Sequence, residues 1–156
     1  MVTVESLKRV EILIGLTEEQ LARVLEICQT RTYNDQDIIV REREPSDEIY
    51  VINRGSAEVI LSGGRVTAEA LAAPGPNAVI SLGQGQTFGE MALIDMGPRS
   101  ATVRCTSDGS ELYVIRREDF VRLCDQDTDI GYKVMRNLAA ELSFKLRHRN
   151  LSWRSD

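Results

Sequence analysis

The chain reads as a mainly β protein: a β-jelly-roll (double-stranded β-helix) barrel with helices before and after it. Three observations predict this. Between residues 31 and 116, short β-rich runs alternate with turn residues, as in a sandwich or barrel. On either side of that region the apolar residues recur at helical spacing. The length of 156 residues, 42% hydrophobic and 28% charged, suits one globular domain that buries a core without disulfide or metal staples. The expected layout is a single domain over 1–156, with helices in 1–30, the barrel in 31–116 and C-terminal helices in 117–150.

Residues 3–15 place Leu7, Val10, Leu13 and Ile14 on one side of a short helical stretch. Thr17, with Gln20 three residues on, makes a capping box, and Leu16 and Leu21 take the staple positions. Leu21, Val24, Leu25 and Cys28 then follow at i, i+3, i+4 and i+7, which predicts a helix over 17–30. Strands are expected at 37–41, 48–53, 56–62, 65–72, 78–82, 100–106 and 111–116, with a tight turn at Arg54 and Gly55. The Pro- and Gly-bearing stretch 72–77 is expected as a hairpin tip. A short helix follows over 117–124, the chain breaks at 125–129, and a helix of about 30 Å runs over 129–149. Its stripe is Ile130, Val134, Leu138, Leu142 and Leu146, with Met135 and Ala139 beside it. That stripe is expected to cover the barrel or to form the seam of a homodimer.

Charge and composition exclude several functions. There are 19 Lys and Arg against 24 Asp and Glu, a net charge of -5. Phosphate neutralisation needs a basic surface, so a general nucleic-acid binder is not expected. The charge is uneven: residues 131–156 hold six basic and two acidic residues, the first 130 hold 13 and 22. The one histidine, His148, disfavours a His-rich metal centre and a Ser-His-Asp triad. No nucleophile-base pair stands out, so neither a catalytic residue nor a metal site is expected. Cys28, Cys105 and Cys124 lack C-x-x-C spacing and sit among apolar residues; they are expected as small buried hydrophobes in a reducing compartment. The N-terminus carries acids and no long apolar core, and no run of about 18 apolar residues exists. No signal peptide and no membrane span are expected, and the cytoplasm is the default location.

One segment carries chemistry. Residues 83–104 read GQGQTFGEMALIDMGPRSATVR. The glycines do not match G-x-G-x-x-G, and no βαβ unit surrounds them. Residues 90–94 are too few for a structural helix, but one helical turn after a glycine presents backbone N–H groups to an anion. Gly89 permits close approach of the backbone. Arg99, after Gly97 and Pro98, is placed to fork onto a phosphate with two hydrogen bonds, and Ser100 adds a hydroxyl. Glu90 would be repelled by phosphate; a carboxylate beside such a cradle suits a ribose hydroxyl. Phe88 and Met91 are expected to be core side chains.

This pattern resembles the phosphate-binding cassette of the cyclic nucleotide-binding domain family, F-G-E-[LI]-[AG]-L followed by P-R-[AST]-A-[TS]-V. Phe88, Gly89, Glu90, Ala92, Leu93, Pro98, Arg99, Ser100, Ala101, Thr102 and Val103 fit it without a gap. The likeness extends to the N-terminal helices, to the strands around 49–59, and to Phe120, Val121, Arg122, Leu123 and the helix beyond. It implies that Glu90 accepts the ribose 2′-OH, that Arg99 pairs with the cyclic phosphate, and that Ser100 donates to phosphate or to the syn base. It implies backbone donors at Gly89, Glu90, Met91, Ala92 and Ala101, and a base cap from Lys145, Arg147, His148 or Arg149 on the C-terminal helix. Two turns depart from the family, at 35–37 and 41–46, where glycine is common. Ser100 is similar to bacterial cAMP-responsive activators, which favours cAMP over cGMP.

The function implied is a sensor that binds a cyclic nucleotide, moves its C-terminal helices and signals to a partner in trans, with no metal and no catalysis. The alternatives are a ligand-free scaffold of the same fold, or a fragment of a longer regulator such as a transcription factor. Ten residues follow Leu146, too few for a helix-turn-helix, so no DNA-binding segment is expected in this chain.

Overall fold

The computed structural model describes residues 3–45, 47–60, 78–94, 97, 99 and 101–154; for 78, 79, 145 and 148–154 it describes the backbone alone. Among these residues there are two four-stranded antiparallel sheets. One holds β1 (Cys28–Tyr33), β8 (Ser110–Arg116), β3 (Glu48–Arg54) and β6 (Thr87–Phe88), in that order. The other holds β2 (Ile38–Val40), β7 (Thr102–Cys105), β4 (Ala57–Ile60) and β5 (Ala78–Leu82). The strand expected at 65–72 and the hairpin tip at 72–77 lie outside the described residues.

The two sheets enclose one apolar cluster. Tyr50, Ile52, Leu112 and Val114 of the first sheet pack with Val40, Ala57, Leu82 and Val103 of the second. The other face of the first sheet, with Ile49, Val51, Tyr113 and Ile115, lies in a second cluster with the helices. β3 and β8 are therefore buried on both faces, which is why IYVI and LYVI read as continuous apolar runs rather than alternating ones.

The helices are α1 (Val4–Leu7), a 3-10 turn at Glu11–Leu13, α2 (Glu18–Leu25), α3 (Arg117–Gln126) and α4 (Thr128–Arg154). The capping box forms as expected: the Gln20 N–H donates to Thr17 Oγ1 at 3.2 Å and the Thr17 N–H to Gln20 Oε1 at 2.9 Å. The helix predicted over 17–30 stops at Leu25, because Cys28 leaves it and pairs with Ile115 at the start of β1. Helical spacing at Cys28 is local, whereas the ladder to β8 is a tertiary contact that overrides it. The expected break at 125–129 narrows to Asp127. Its carboxylate accepts the N–H groups of Asp129 and Ile130, both at 3.2 Å, capping α4, and pairs with Arg23 of α2 at 2.8 Å. Farther along α4, Asn137 donates to the carbonyls of Ile12 and Ile14, both at 2.9 Å.

The apolar stripe of α4 divides. Ile130, Val134 and Leu138 are buried against the domain's own helices, so Val134 and Leu138 are not available to the dimer seam drawn through them, while Leu146 is 60% exposed. Cys105 and Cys124 are buried and Cys28 half-buried. Burial pushes the Cys28 thiol up to about 12 and, with the charges of Asp125 and Asp127, the Cys124 thiol up to about 11. The two turns where glycine is common in the family hold left-handed non-glycine residues, Gln36 at φ 75° and Arg43 at φ 73°.

Candidate functional site

The site is built on the return from β6. Gly89 is left-handed, at φ 77°, and opens a 3-10 turn over Glu90–Leu93. A Cβ at Gly89 would lie 2.6 Å from Arg99 Nη1 and 2.9 Å from the Glu48 carbonyl oxygen. Conformation and space both demand glycine here. Within the turn the Ala92 N–H donates to the Gly89 carbonyl at 3.2 Å, so the Ala92 amide, expected as a donor to ligand, is engaged in closing the turn.

Arg99 is fixed at both ends. Its backbone N–H donates to the Glu44 carbonyl and its carbonyl accepts the Arg43 N–H, each at 2.8 Å. Its guanidinium lies 5.6 Å from the centre of the Tyr50 ring, a cation–π contact. Arg99 is only 8% exposed, and its buried Nη1 has no hydrogen-bond partner among the described residues. A buried, charged donor without an acceptor is costly unless something fills the place. Tyr50 is itself held: its ring stacks on Phe88 at 4.9 Å between centroids, and its hydroxyl donates to Glu48 Oε1 at 2.8 Å. Arg31 forks onto the same carboxylate at 3.1 and 2.7 Å. Burial alone would raise the Glu48 pKa, but hydrogen bonds from Arg31 and Tyr50 and the charges of Arg31 and Arg99 outweigh it and hold the carboxyl below its ordinary 4.5. Burial first, and the hydrogen bond to Glu48 second, push the Tyr50 hydroxyl above its usual range.

Glu90 is buried at the head of the turn, and Phe88 is a core residue as expected. Met91 is not: its side chain is 40% exposed. A four-residue turn has one inner side, and Ala92 and Leu93 occupy it. Leu93 joins the helical cluster with Phe120, Ile130, Val134 and Leu138. The turn is also tied to α3, where Arg117 Nε donates to the Ala92 carbonyl at 2.6 Å while the Arg117 N–H donates to the Asp47 carbonyl at 2.8 Å. Ala101 is half-buried just before β7.

Ser100 lies outside the described residues, as do the side chains of Lys145, His148 and Arg149. Arg147 is exposed on α4, beyond Leu138, the last buried side chain of that helix among the described residues. Sequence reasoning missed Tyr50, Glu48, Arg31 and Arg117. The signal for Tyr50 and Glu48 was an aromatic among, and an acid just before, the aliphatic residues Ile49, Val51 and Ile52; Arg31 and Arg117 carried none. Among the described residues no group of three or more His, Cys, Asp or Glu side chains is placed to hold a metal ion, and no helix is long and apolar enough to cross a membrane.

The family model described as the cyclic nucleotide-binding domain matches residues 30–127. The chain is 27% identical over 144 residues to the cGMP-dependent protein kinase, isozyme 1, of Drosophila melanogaster, covering 92% of this chain and 18% of that kinase. Among solved structures, the catabolite activator protein of Thermus thermophilus superposes with a TM-score of 0.74 at 28% identity, covering 92% of this chain and 62% of that one. The regulatory domain of Toxoplasma gondii PKA with cAMP superposes with a TM-score of 0.71 at 29% identity, covering 90% of this chain and 48% of that one.

Proposed function

Since the chain belongs to the cyclic nucleotide-binding domain family, we propose that the cradle at Gly89–Leu93 and Arg99 takes the cyclic phosphate of cAMP, in preference to cGMP. The observation that carries this reading is the buried Arg99 Nη1, which faces Gly89 at the head of a 3-10 turn and has no acceptor among the described residues. A ligand phosphate supplies that acceptor and forms a charge-assisted hydrogen bond. Glu90, buried at the start of the same turn, accepts the ribose 2′-OH; Ser100 contacts the phosphate or the base. Lys145, Arg147, His148 or Arg149 caps the base from α4.

Signalling follows from what the turn touches. A ligand that seats Glu90–Leu93 acts on α3 through the hydrogen bond from Arg117 to the Ala92 carbonyl, and on α4 through Leu93. Binding then favours whichever helix arrangement closes over the ligand. The chain acts as a regulatory module, not a catalyst, in the cytoplasm, and its output passes to a partner protein. It pairs with a second copy through α4.

Isothermal titration calorimetry tests the binding. The wild-type chain is expected to bind cAMP at sub-millimolar concentration and more tightly than cGMP. Arg99→Ala is expected to weaken cAMP binding at least a hundredfold, since a desolvated phosphate loses its charge partner at a cost of about 3 kcal/mol or more. No heat with either nucleotide overturns the reading in favour of a scaffold; equal affinity in wild type and variant removes the phosphate role from Arg99.

A further inference from the structure

Two charged side chains stand on the inner face of the first sheet. Arg31 lies opposite Leu112 and Tyr50 opposite Val114, and both Leu112 and Val114 belong to the barrel cluster. Glu48, two residues before Tyr50 on β3, shares that face. A charge turned toward an apolar interior needs a partner. Here Arg31 takes both oxygens of Glu48, at 3.1 and 2.7 Å, and the Tyr50 hydroxyl adds a third hydrogen bond. The pair is not deeply buried: the Arg31 side chain is 40% exposed and that of Glu48 20%. Such a half-exposed ion pair adds little to stability. Its position beside Arg99 is the informative feature.

We infer that Arg31 sets the ligand affinity of the site: it occupies the Glu48 carboxylate and so leaves Arg99 free for the phosphate. This rests on the phosphate reading of Arg99 above and adds to it a residue that acts through another. Three observations carry it. The position a Cβ would take on Gly89 lies 2.6 Å from Arg99 Nη1 and 2.9 Å from the Glu48 carbonyl oxygen, so the two residues flank the same space. Arg99 and Arg31 both act on the charge of Glu48, so two guanidinium groups compete for one carboxylate. Tyr50 touches both parties, donating to Glu48 Oε1 while its ring meets the Arg99 guanidinium. Yet it is Arg31 that forks onto Glu48, and Arg99 Nη1 has no hydrogen-bond partner among the described residues.

A forked guanidinium is among the strongest partners a carboxylate can have. Removing it leaves Glu48 an uncompensated anion beside a buried cation, with two consequences for binding. The carboxylate becomes an internal acceptor for Arg99, which the ligand phosphate must displace. Its charge also repels that phosphate. Arg31 is thus a positioning residue: without contacting the ligand, it decides which anion Arg99 holds.

A double-mutant cycle read by calorimetry with cAMP tests this role. Arg31→Met, which keeps a stem of similar length, is expected to bind about tenfold more weakly than wild type. The same substitution in a Glu48→Gln background, where the amide still accepts the Tyr50 hydroxyl but carries no charge, is expected to change affinity by about twofold or less. Equal losses in the two backgrounds make Arg31 a plain structural prop and overturn the inference. NMR of the ligand-free chain gives a second reading. The Arg99 guanidinium protons, assigned by their loss in Arg99→Ala, are expected to exchange more slowly with water in Arg31→Met than in wild type, and not in the double variant. Unchanged exchange in Arg31→Met overturns the competition between the two cations. A wild-type chain that binds neither cAMP nor cGMP overturns the phosphate reading and this role with it. Binding that is lost in Arg99→Ala but indifferent to Arg31→Met overturns this role alone.

Discussion

At the scale of single residues, the site is a stack of dependencies beneath one cation. Arg31 and Tyr50 hold Glu48, Glu48 holds the Tyr50 hydroxyl, and Tyr50, pressed on Phe88, carries Arg99 over its ring. The carboxyl of Glu48 is held below its ordinary 4.5, so its charged form is what the fold prefers. A lowered carboxyl contributes stability that is fully present above the unfolded pKa and is lost as pH falls through the folded one. Glu48→Gln is therefore expected to cost about 1 kcal/mol at pH 7 and progressively less below about pH 4.5, where wild type loses the same contribution. Urea denaturation of both proteins at pH 7 and pH 3.5 measures this; an unchanged gap at the lower pH sinks it. Glu90 and Arg99 were legible in the sequence because a glycine turn and an arginine after Gly-Pro form a local pattern. Their supports were not. Tyr50 and Glu48 sit on a strand whose continuous apolar run tells only that it is buried, and nothing along the chain says which guanidinium folds back onto that ring.

At the scale of elements, the N-terminal and C-terminal helices are joined by a few polar contacts between segments far apart in sequence. Asp127 caps α4 and pairs with Arg23; Gln20 donates to Asp129 and accepts from Lys133; Asn137 binds two carbonyls around the first 3-10 turn. Asn137→Ala should free the segment from Glu11 to Leu16 with little effect on the barrel, costing about 1–2 kcal/mol. Hydrogen exchange is expected to quicken at those amides first; equal quickening in β3 and β8 would show that the clamp is not local. The elements themselves were legible to the degree that their signals were local. The capping box of α2 and the apolar period of α4 are such signals. β1 was lost to a helix because Cys28 satisfies i+7 from Leu21 as well as it satisfies a strand, and its partner Ile115 lies at the far end of the barrel. Thr87–Phe88, two residues paired with Tyr50 and Val51, is too short for any period to show.

At the scale of the whole molecule, Leu93 joins Ile49, Val51, Tyr113 and Ile115 of the first sheet in the cluster where the barrel and the helices meet. The side chain comes from the turn proposed to hold the ligand, but it is buried with Phe120, Leu123, Ile130 and Val134 of the helices. Seating a ligand on that turn therefore bears on the packing of the larger apolar cluster. A ligand that binds only the folded state at a hundred times its Kd adds about 2.7 kcal/mol, which for a chain of this length is a melting-point rise of about 5–10 °C. Differential scanning fluorimetry with saturating cAMP is expected to show that rise in wild type and to lose it in Arg99→Ala. A shift that persists in the variant would place the nucleotide elsewhere.

The position of Leu93 also couples two timescales. A turn that opened quickly to admit and release ligand would uncover the core each time, and with it the surfaces from which aggregation and proteolysis begin. Substitutions that loosen Leu93 to hasten the response shorten the protein's working life, and those that secure it lengthen the interval before a signal can be cleared. On the proposed reading of the turn, one leucine would limit how fast this domain can forget its ligand.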